Sequence, residues 1–422
     1  MAYEYVDRIS DKTLNVLLDA KAAVLIEGPK WCGKTSSAEQ LARSILYMQD
    51  PDTSRANMLT AKAKPSLLLA GETPRLLDEW QVAPELWNAV RFAVDKRKAT
   101  GQFILTGSTV PTRTDDMHTG TGRIARMRMR PMSLFETADS SGEISLKALF
   151  DNETGLEGRS DLTIERLAFV INRGGWPAVA QESNEKTALT VASDYLEAIS
   201  NEDISRVDGI EKNPDRVRRL MRSLSRNISS EARTATLVSD LNANDGSLSQ
   251  VTVDAYIDAL KRIFVIEDLP AWSVRLRSKT VLRTTAKRHF ADPSIATASL
   301  RATPKRLLTD FNTFGLLFES LCIRDLRIYA DSIDGSVYHY RDKTGFEIDA
   351  IVELADGRWG AVEVKMGASD IEQAARNLLR LAGIVDPLSQ APPSFLMILT
   401  STEYAFQLDN GVWVVPLGCL RN

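Results

Sequence analysis

Short apolar runs alternate along this chain with longer stretches in which apolar residues recur every three or four positions. The run Ala22–Ile26 has no polar face and is too short for a helix, which predicts a strand buried on both sides of a parallel sheet. Gln102-Phe-Ile-Leu-Thr-Gly-Ser108 predicts a second buried strand. Arg75-Leu-Leu-Asp78 predicts a third, although only two apolar residues precede Asp78. Leu86, Val90, Ala93 and Val94 share one face of a helix over 84–98, and Ser36 to Leu46 is compatible with another. Residues 1–21 read as a lead-in, with Ser10-Asp11-Lys12-Thr13 capping an amphipathic turn that carries Leu14, Leu17 and Leu18. The stretch from Asp50 to Lys64 has no assignable pattern.

Further on, Arg123-Ile-Ala-Arg-Met-Arg-Met-Arg130 alternates with period 2, placing Arg126, Arg128 and Arg130 on one face and Ala125, Met127 and Met129 on the other. Ala138 to Asp161 is polar and predicts a surface loop around one short helix. Helices are expected over 186–200, 214–228, 236–241 and 250–266. The last carries Val253, Tyr256, Ile257, Leu260, Ile263 and Phe264 as a core stripe. With the basic extended stretch that follows, this is the plan of a winged helix. Near the C-terminal side, Phe346–Leu354 and Trp359–Lys365 are strand-like runs separated by Ala355-Asp356-Gly357.

The chain has 422 residues, 44% apolar and 26% charged, the profile of a globular protein of several domains. No apolar run approaches the roughly 18 residues of a membrane span, and 1–7 lack the features of a signal peptide. Cys32, Cys322 and Cys419 are far apart, which supports neither a disulfide framework nor a zinc cluster and fits a cytoplasmic location. A net charge of −4 gives no global attraction to nucleic acid.

The candidate chemistry begins after the first buried strand. Gly28-Pro29-Lys30-Trp31-Cys32-Gly33-Lys34-Thr35 is G-x-x-x-x-G-K-[ST] between a strand and a helix N-terminus, the context of a phosphate loop. Its backbone N–H groups suit phosphate, Lys34 reaches the β- and γ-phosphates of ATP, and Thr35 completes the shell of Mg²⁺. Asp78 would hold the same ion through water, with Glu79 as general base. Thr106 or Ser108, on the neighbouring strand, would present a polar side chain to the phosphates. For the arginine stretch two readings stand: Arg123 stabilises γ-phosphate charge, within the chain or across a subunit boundary, or the strand is a solvated edge.

The C-terminal runs hold a second constellation. A three-residue loop with Gly357 in a left-handed conformation pairs Leu354 with Arg358 and hence Asp349 with Glu363, with Lys365 on the same face. Two carboxylates and a lysine so placed are the pattern of a Mg²⁺-dependent nuclease. A hairpin with solvated charges is the alternative. Arg341 and Lys343, just before the hairpin, could meet phosphate. In the middle region the third helix exposes Asp254, Asp258, Lys261 and Arg262, so acid cancels base where DNA would be read. Arg275, Arg277, Lys279, Arg283, Lys287 and Arg288 could instead grip DNA or RNA without sequence preference, form a solvated hairpin, or contact the first domain.

The set Gly28–Thr35, Leu76–Trp80, Phe103–Ser108, Arg128-Met-Arg-Pro-Met-Ser-Leu-Phe-Glu136 and Gly174-Gly-Trp-Pro177 resembles the prokaryotic AAA-type ATPases that end in a domain of unknown function with a restriction-endonuclease-like core. The resemblance implies an α/β architecture in three domains. These are a P-loop ATPase parallel sheet over 1–185, a helical and winged-helix domain over 186–300, and an α/β restriction-endonuclease-like domain over 301–422. It implies ATP and Mg²⁺ as ligands and adds Glu319 as a further metal-binding carboxylate and Gln373 as a polar residue beside the site. A homo-oligomer, a protein partner and nucleic acid are all open as partners. The competing reading is a slow nucleotide-dependent switch whose C-terminal domain only docks a partner.

Overall fold

The computed structural model describes residues 4–109, 120–182, 184–207, 210, 212–243, 248–273, 285–386 and 390–422. Five parallel strands form the first sheet: β1 (Ala23–Glu27), β2 (Ser44–Tyr47), β3 (Arg75–Asp78), β4 (Phe103–Gly107) and β5 (Ile124–Arg128), in the order β2-β3-β4-β1-β5. Alternation divides their side chains between two cores. Leu25, Leu77, Phe103 and Leu105 pack on one face with Trp80 and Trp87, and Val24, Ile26, Leu76 and Ile104 on the other with Leu14 and Met127. Burial on both faces is why these strands read as unbroken apolar runs.

Three local expectations need correction. The helix after the phosphate loop is only Lys34–Leu41. Ser44–Tyr47, expected as its end, is an edge strand paired with β3, because Ile45 and Leu46 find a sheet partner that local periodicity does not reveal. The lead-in is a full helix, Ile9–Ala20, capped at Arg8, whose backbone N–H donates to Asp11 Oδ2 at 2.8 Å. The unpatterned stretch contains a helix, Ser54–Ala63.

Beyond Gly174-Gly-Trp-Pro177 the chain is helical. Thr190–Ala198 runs into a π-helical turn, Ile199–Asp203, and Pro214–Arg226, Thr234–Asn242 and Gln250–Arg262 follow. Antiparallel bridges then join Ile266 to Phe290 and Leu269 to Lys287, and a parallel bridge joins Ala271 to His339 in the last domain.

Two strands that lie before residue 160 pair with C-terminal ones, one in the large C-terminal sheet and one in a separate two-stranded sheet. The polar segment 138–161 is not a free loop: it supplies β6 (Ile144–Ser145) and β7 (Gly158–Arg159). The seven-stranded sheet runs β7-β12-β13-β11-β10-β9-β8, with β8 Gly335–Arg341, β9 Glu347–Leu354, β10 Trp359–Lys365, β11 Phe395–Thr400, β12 Tyr404–Gln407 and β13 Trp413–Pro416. β6 pairs with β14 (Leu420–Arg421). The segment was expected inside the first domain, yet its ladder partners belong to the third. Short polar strands such as Gly158–Arg159 carry no apolar alternation to announce them.

Arg130 ties the units together. Its guanidinium donates to both carboxylate oxygens of Glu267, at 2.6 and 2.9 Å, and to Asp331 at the end of the helix Phe311–Asp331. Burial works against the Glu267 charge, but Arg130 and Arg327 hold its carboxyl well below the usual range.

Candidate active site

The phosphate loop leaves the C-terminal end of β1. Gly28 is required there, because a Cβ would lie 2.1 Å from the carbonyl oxygen of Met129, just past the end of β5. Lys34 sits at the start of its helix and donates to the carbonyls of Gly28 at 3.0 Å and Pro29 at 2.8 Å. Thr35 Oγ1 donates to Asp78 Oδ1 at 2.6 Å, and Thr106 Oγ1 donates to the same oxygen at 2.7 Å. The first turn of a helix and the ends of two strands thus meet at one carboxylate oxygen.

Glu79 has φ 53°, a left-handed conformation costly for a residue with a side chain. Its carboxylate accepts from Ser108 Oγ at 3.2 Å and from the Gln81 side-chain amide. Both candidates on β4 therefore take part, Thr106 on Asp78 and Ser108 on Glu79. Gln81 was not singled out in the sequence, where a lone Gln after Trp80 carries no chemical signature.

A cavity of about 1280 Å³ opens over this group, lined by Lys30, Lys34, Thr35, Glu79, Gln81 and Ser108 on one side. Tyr195, Asp203 and Ile263 of the helical unit line the other.

Arg123 stands elsewhere. It precedes β5, whose Ile124 pairs with Ala23 at the start of β1, while the loop leaves the far end beyond the Glu27–Arg128 pair. With about 3.3 Å per residue, four steps separate the two ends by roughly 13 Å. Arg123 is bound to Asp95 at 2.5 Å. A role on the γ-phosphate of its own chain is thereby corrected; alternation gives the face of a side chain, not the end of the sheet. Arg126 pairs with Glu27 at 2.6 Å, and Arg128 stacks on Phe264.

The second constellation assembles in the predicted register. Leu354 N–H donates to the Arg358 carbonyl, Gly357 has φ 87°, and Val362 pairs with Ala350, one step before Asp349 and Glu363. Lys365 Nζ lies 2.8 Å from Glu363 and 3.6 Å from Asp349. Glu319 joins them from the helix behind. An unexpected member is Lys287, whose Nζ lies 3.0 Å from Glu319, 3.5 Å from Asp349 and 3.5 Å from Glu347.

Electrostatics follow from this packing. Burial and the neighbouring Asp349 raise Glu319 and Glu363 above the usual carboxylate range. Burial opposes the charge of Asp349, yet Lys287 and Lys365 hold it below that range. Lys287 is raised, its desolvation outweighed by Glu319 and Asp349.

The residues do not fit a resident divalent ion. The space between Glu319 and Asp349 holds an ammonium, and among the described residues no three His, Cys, Asp or Glu side chains are grouped to hold a metal. In this arrangement Lys287 and Lys365, not a metal, face Glu319, Asp349 and Glu363, against the metal role expected of them. Of the basic stretch, Lys287 is 2% exposed and Arg288 is paired with Asp268 at 2.7 Å, so these two are engaged within the chain. Arg275, Arg277, Lys279 and Arg283 lie outside the described residues. Arg341 pairs with Glu347, Lys343 is exposed, and Gln373 reaches Glu363 only through Asn377, whose amide donates to Glu363 at 3.2 Å.

Comparison with known proteins gives three matches along the chain. Residues 20–138 match an AAA domain, 164–306 a domain of unknown function (DUF8612), and 314–420 another domain of unknown function (DUF4143). Uncharacterized proteins of Mycobacterium tuberculosis and Mycobacterium bovis are each 23% identical over 395 residues, covering 93% of this chain and 79% of the relative. Among solved structures, the Walker-type ATPase PABY2304 of Pyrococcus abyssi is similar at TM-score 0.44 and 15% identity, over 70% of this chain and 96% of that one. The Aeropyrum pernix ORC1 protein, solved in complex with DNA, is similar at TM-score 0.25 and 10% identity, over 71% and 94%. No helix among the described residues is long and apolar enough to cross a membrane.

Proposed function

We propose that the chain binds ATP and hydrolyses it at the cavity beneath the phosphate loop. The observation that carries this reading is the convergence of Thr35, Asp78 and Thr106 on one oxygen, beside Lys34 and Glu79, at the same end of three parallel strands. In use, Lys34 exchanges the carbonyls of Gly28 and Pro29 for phosphate oxygens, and Glu79, steadied by Ser108 and Gln81, orients and deprotonates the attacking water. Thr35 and Asp78 are hard oxygen donors that suit Mg²⁺, which when bound offsets charge between the β- and γ-phosphates. The test is steady-state turnover: Glu79→Gln should bind ATP and fail to hydrolyse it. Turnover unchanged in that variant would refute the assignment.

A second reading concerns the last domain, for which the Lys287 contacts speak. It is a nuclease-like α/β domain whose charged site is internally neutralised, so that it serves as a docking module and does not cut nucleic acid. The helical unit is a winged-helix module whose bridged segments at Leu269–Ala271 and Lys287 are seated on the last domain, not on a duplex. Mg²⁺- or Mn²⁺-dependent cleavage of DNA or RNA that is lost in Asp349→Ala would overturn this second reading.

A further inference from the structure

Phosphoryl transfer gains from a further cation, beside the loop lysine, for the charge that develops on the γ-phosphate. Among the described residues, the cations that line the cavity are Arg8, Lys30 and Lys34. Arg8 is 6% exposed and committed to Glu136 at 2.9 Å and to the carbonyls of Cys32 and Arg130 at 2.7 and 2.9 Å. Lys34 is the loop lysine already assigned.

Lys30 is differently placed. It lies within the loop, between Gly28 and Gly33, and its side chain is 39% exposed, but its ammonium is held 2.5 Å from Asp203 Oδ1. Asp203 closes the π-helical turn Ile199–Asp203 in the helical unit, a form of backbone that is rare and frequent at functional sites. The next loop residue, Trp31, has φ 65° and sets its ring 5.5 Å from Tyr195, which packs on Trp176 at 4.5 Å. A bulky residue in the left-handed region is strained, so the loop is held in this form by its contacts with the helical unit.

We infer that Lys30 is the cation that meets the γ-phosphate of bound ATP, and that Asp203 is the carboxylate it leaves to do so. The inference rests on the ATP reading of this cavity and deepens it. A single carboxylate competes poorly with a terminal phosphate of higher charge, and four rotatable carbons let the ammonium swing between them. ADP offers no third phosphate, so Lys30 stays with Asp203. The helical unit thereby distinguishes the two nucleotides through the release of its π-helical turn.

The test uses the full chain with ADP and a non-hydrolysable ATP analogue, both measured by calorimetry, together with kcat. Lys30→Ala should weaken the analogue by about 10- to 100-fold, the range of a charge-assisted hydrogen bond, while leaving ADP affinity in place. Its kcat should fall about 100-fold or more. Lys30→Arg should restore most of both, and Asp203→Asn should tighten the analogue relative to ADP. Loss of both nucleotides to the same extent in Lys30→Ala, or an unchanged ratio with unchanged kcat, would overturn the inference while sparing the ATP site. Wild-type chain that binds neither nucleotide would overturn both.

Discussion

At the phosphate loop, Lys34 rests on two backbone carbonyls, and Asp78 and Glu79 accept hydrogen bonds from neutral hydroxyls and an amide. In the C-terminal cluster, Asp349, Glu363 and Glu319 each touch an ammonium. The residue types are the same, carboxylates and lysines at strand ends, but their charges are disposed differently. Groups held by neutral partners beside an open cavity can be recruited by a ligand at the cost of weak bonds. Groups already paired in a buried cluster must lose those pairs first, and breaking such a pair is costly. Residue type and spacing therefore identify a reactive constellation only when what neutralises it is also known.

The comparison breaks most sharply if the open site proves inert. Lys34→Ala should reduce ATP affinity by about 100-fold or more, since it removes a charge-assisted phosphate contact and leaves the fold intact. Equilibrium titration with a fluorescent ATP analogue checks this, and unchanged affinity would place the nucleotide elsewhere. At the closed site the large effect is on stability. Lys287→Ala should destabilise the chain by about 3–5 kcal/mol in urea unfolding, because Glu319 and Asp349 lose their shared cation. A loss under 1 kcal/mol would mean that water or ions substitute freely, and the cluster would not be closed.

Acidity sharpens the contrast further. Glu319 and Glu363 are raised above their usual value of 4.5, so the stability they contribute is complete below that pH and is lost as pH rises through their folded values. Asp349 is lowered, so its contribution is present above 3.8 and is lost as pH falls through its folded value. From pH 4.5 up to the folded value of Glu319, the unfolding free energy of the wild type should fall relative to that of Glu319→Gln, by up to about 1.4 kcal/mol per pH unit. Parallel profiles for wild type and variant would contradict it. The smallest effect is expected at Arg123, an exposed partner of Asp95. Arg123→Ala should change stability by less than about 1 kcal/mol and leave turnover of dilute protein unaltered. Turnover per chain that rises with protein concentration and collapses in this variant would instead assign Arg123 to a neighbouring subunit.

Much of this could be read from the residues, for reasons of range. The phosphate loop and the β9–β10 register are set by eight and three consecutive residues respectively, and local backbone preference is enough to fix them. Lys287 could not be placed in this way. Its basic neighbourhood predicts solvent, and its burial depends on Glu319, on a helix that begins at Phe311, and on Asp349, 62 residues further on. Asp203 was hidden for a similar reason: nothing near Ile199–Asp203 signals a partner in the loop, 173 residues earlier. For Arg123, neither its place after Gly120-Thr-Gly122 nor the alternation that follows says at which end of the sheet it stands.

The pairing of the segment around Ser140 with β14 has a temporal side. Ser140 Oγ donates to the carbonyl of Leu420, 280 residues later. At a synthesis rate of about 5–20 residues per second, the ribosome needs roughly 15 to 55 s to supply that partner. During this interval the phosphate loop and its sheet can form, while the strands at 144–145 and 158–159 wait with unpaired backbone groups exposed. This part of the fold therefore closes only when nearly the whole sequence has been made, well after the first sheet can take shape.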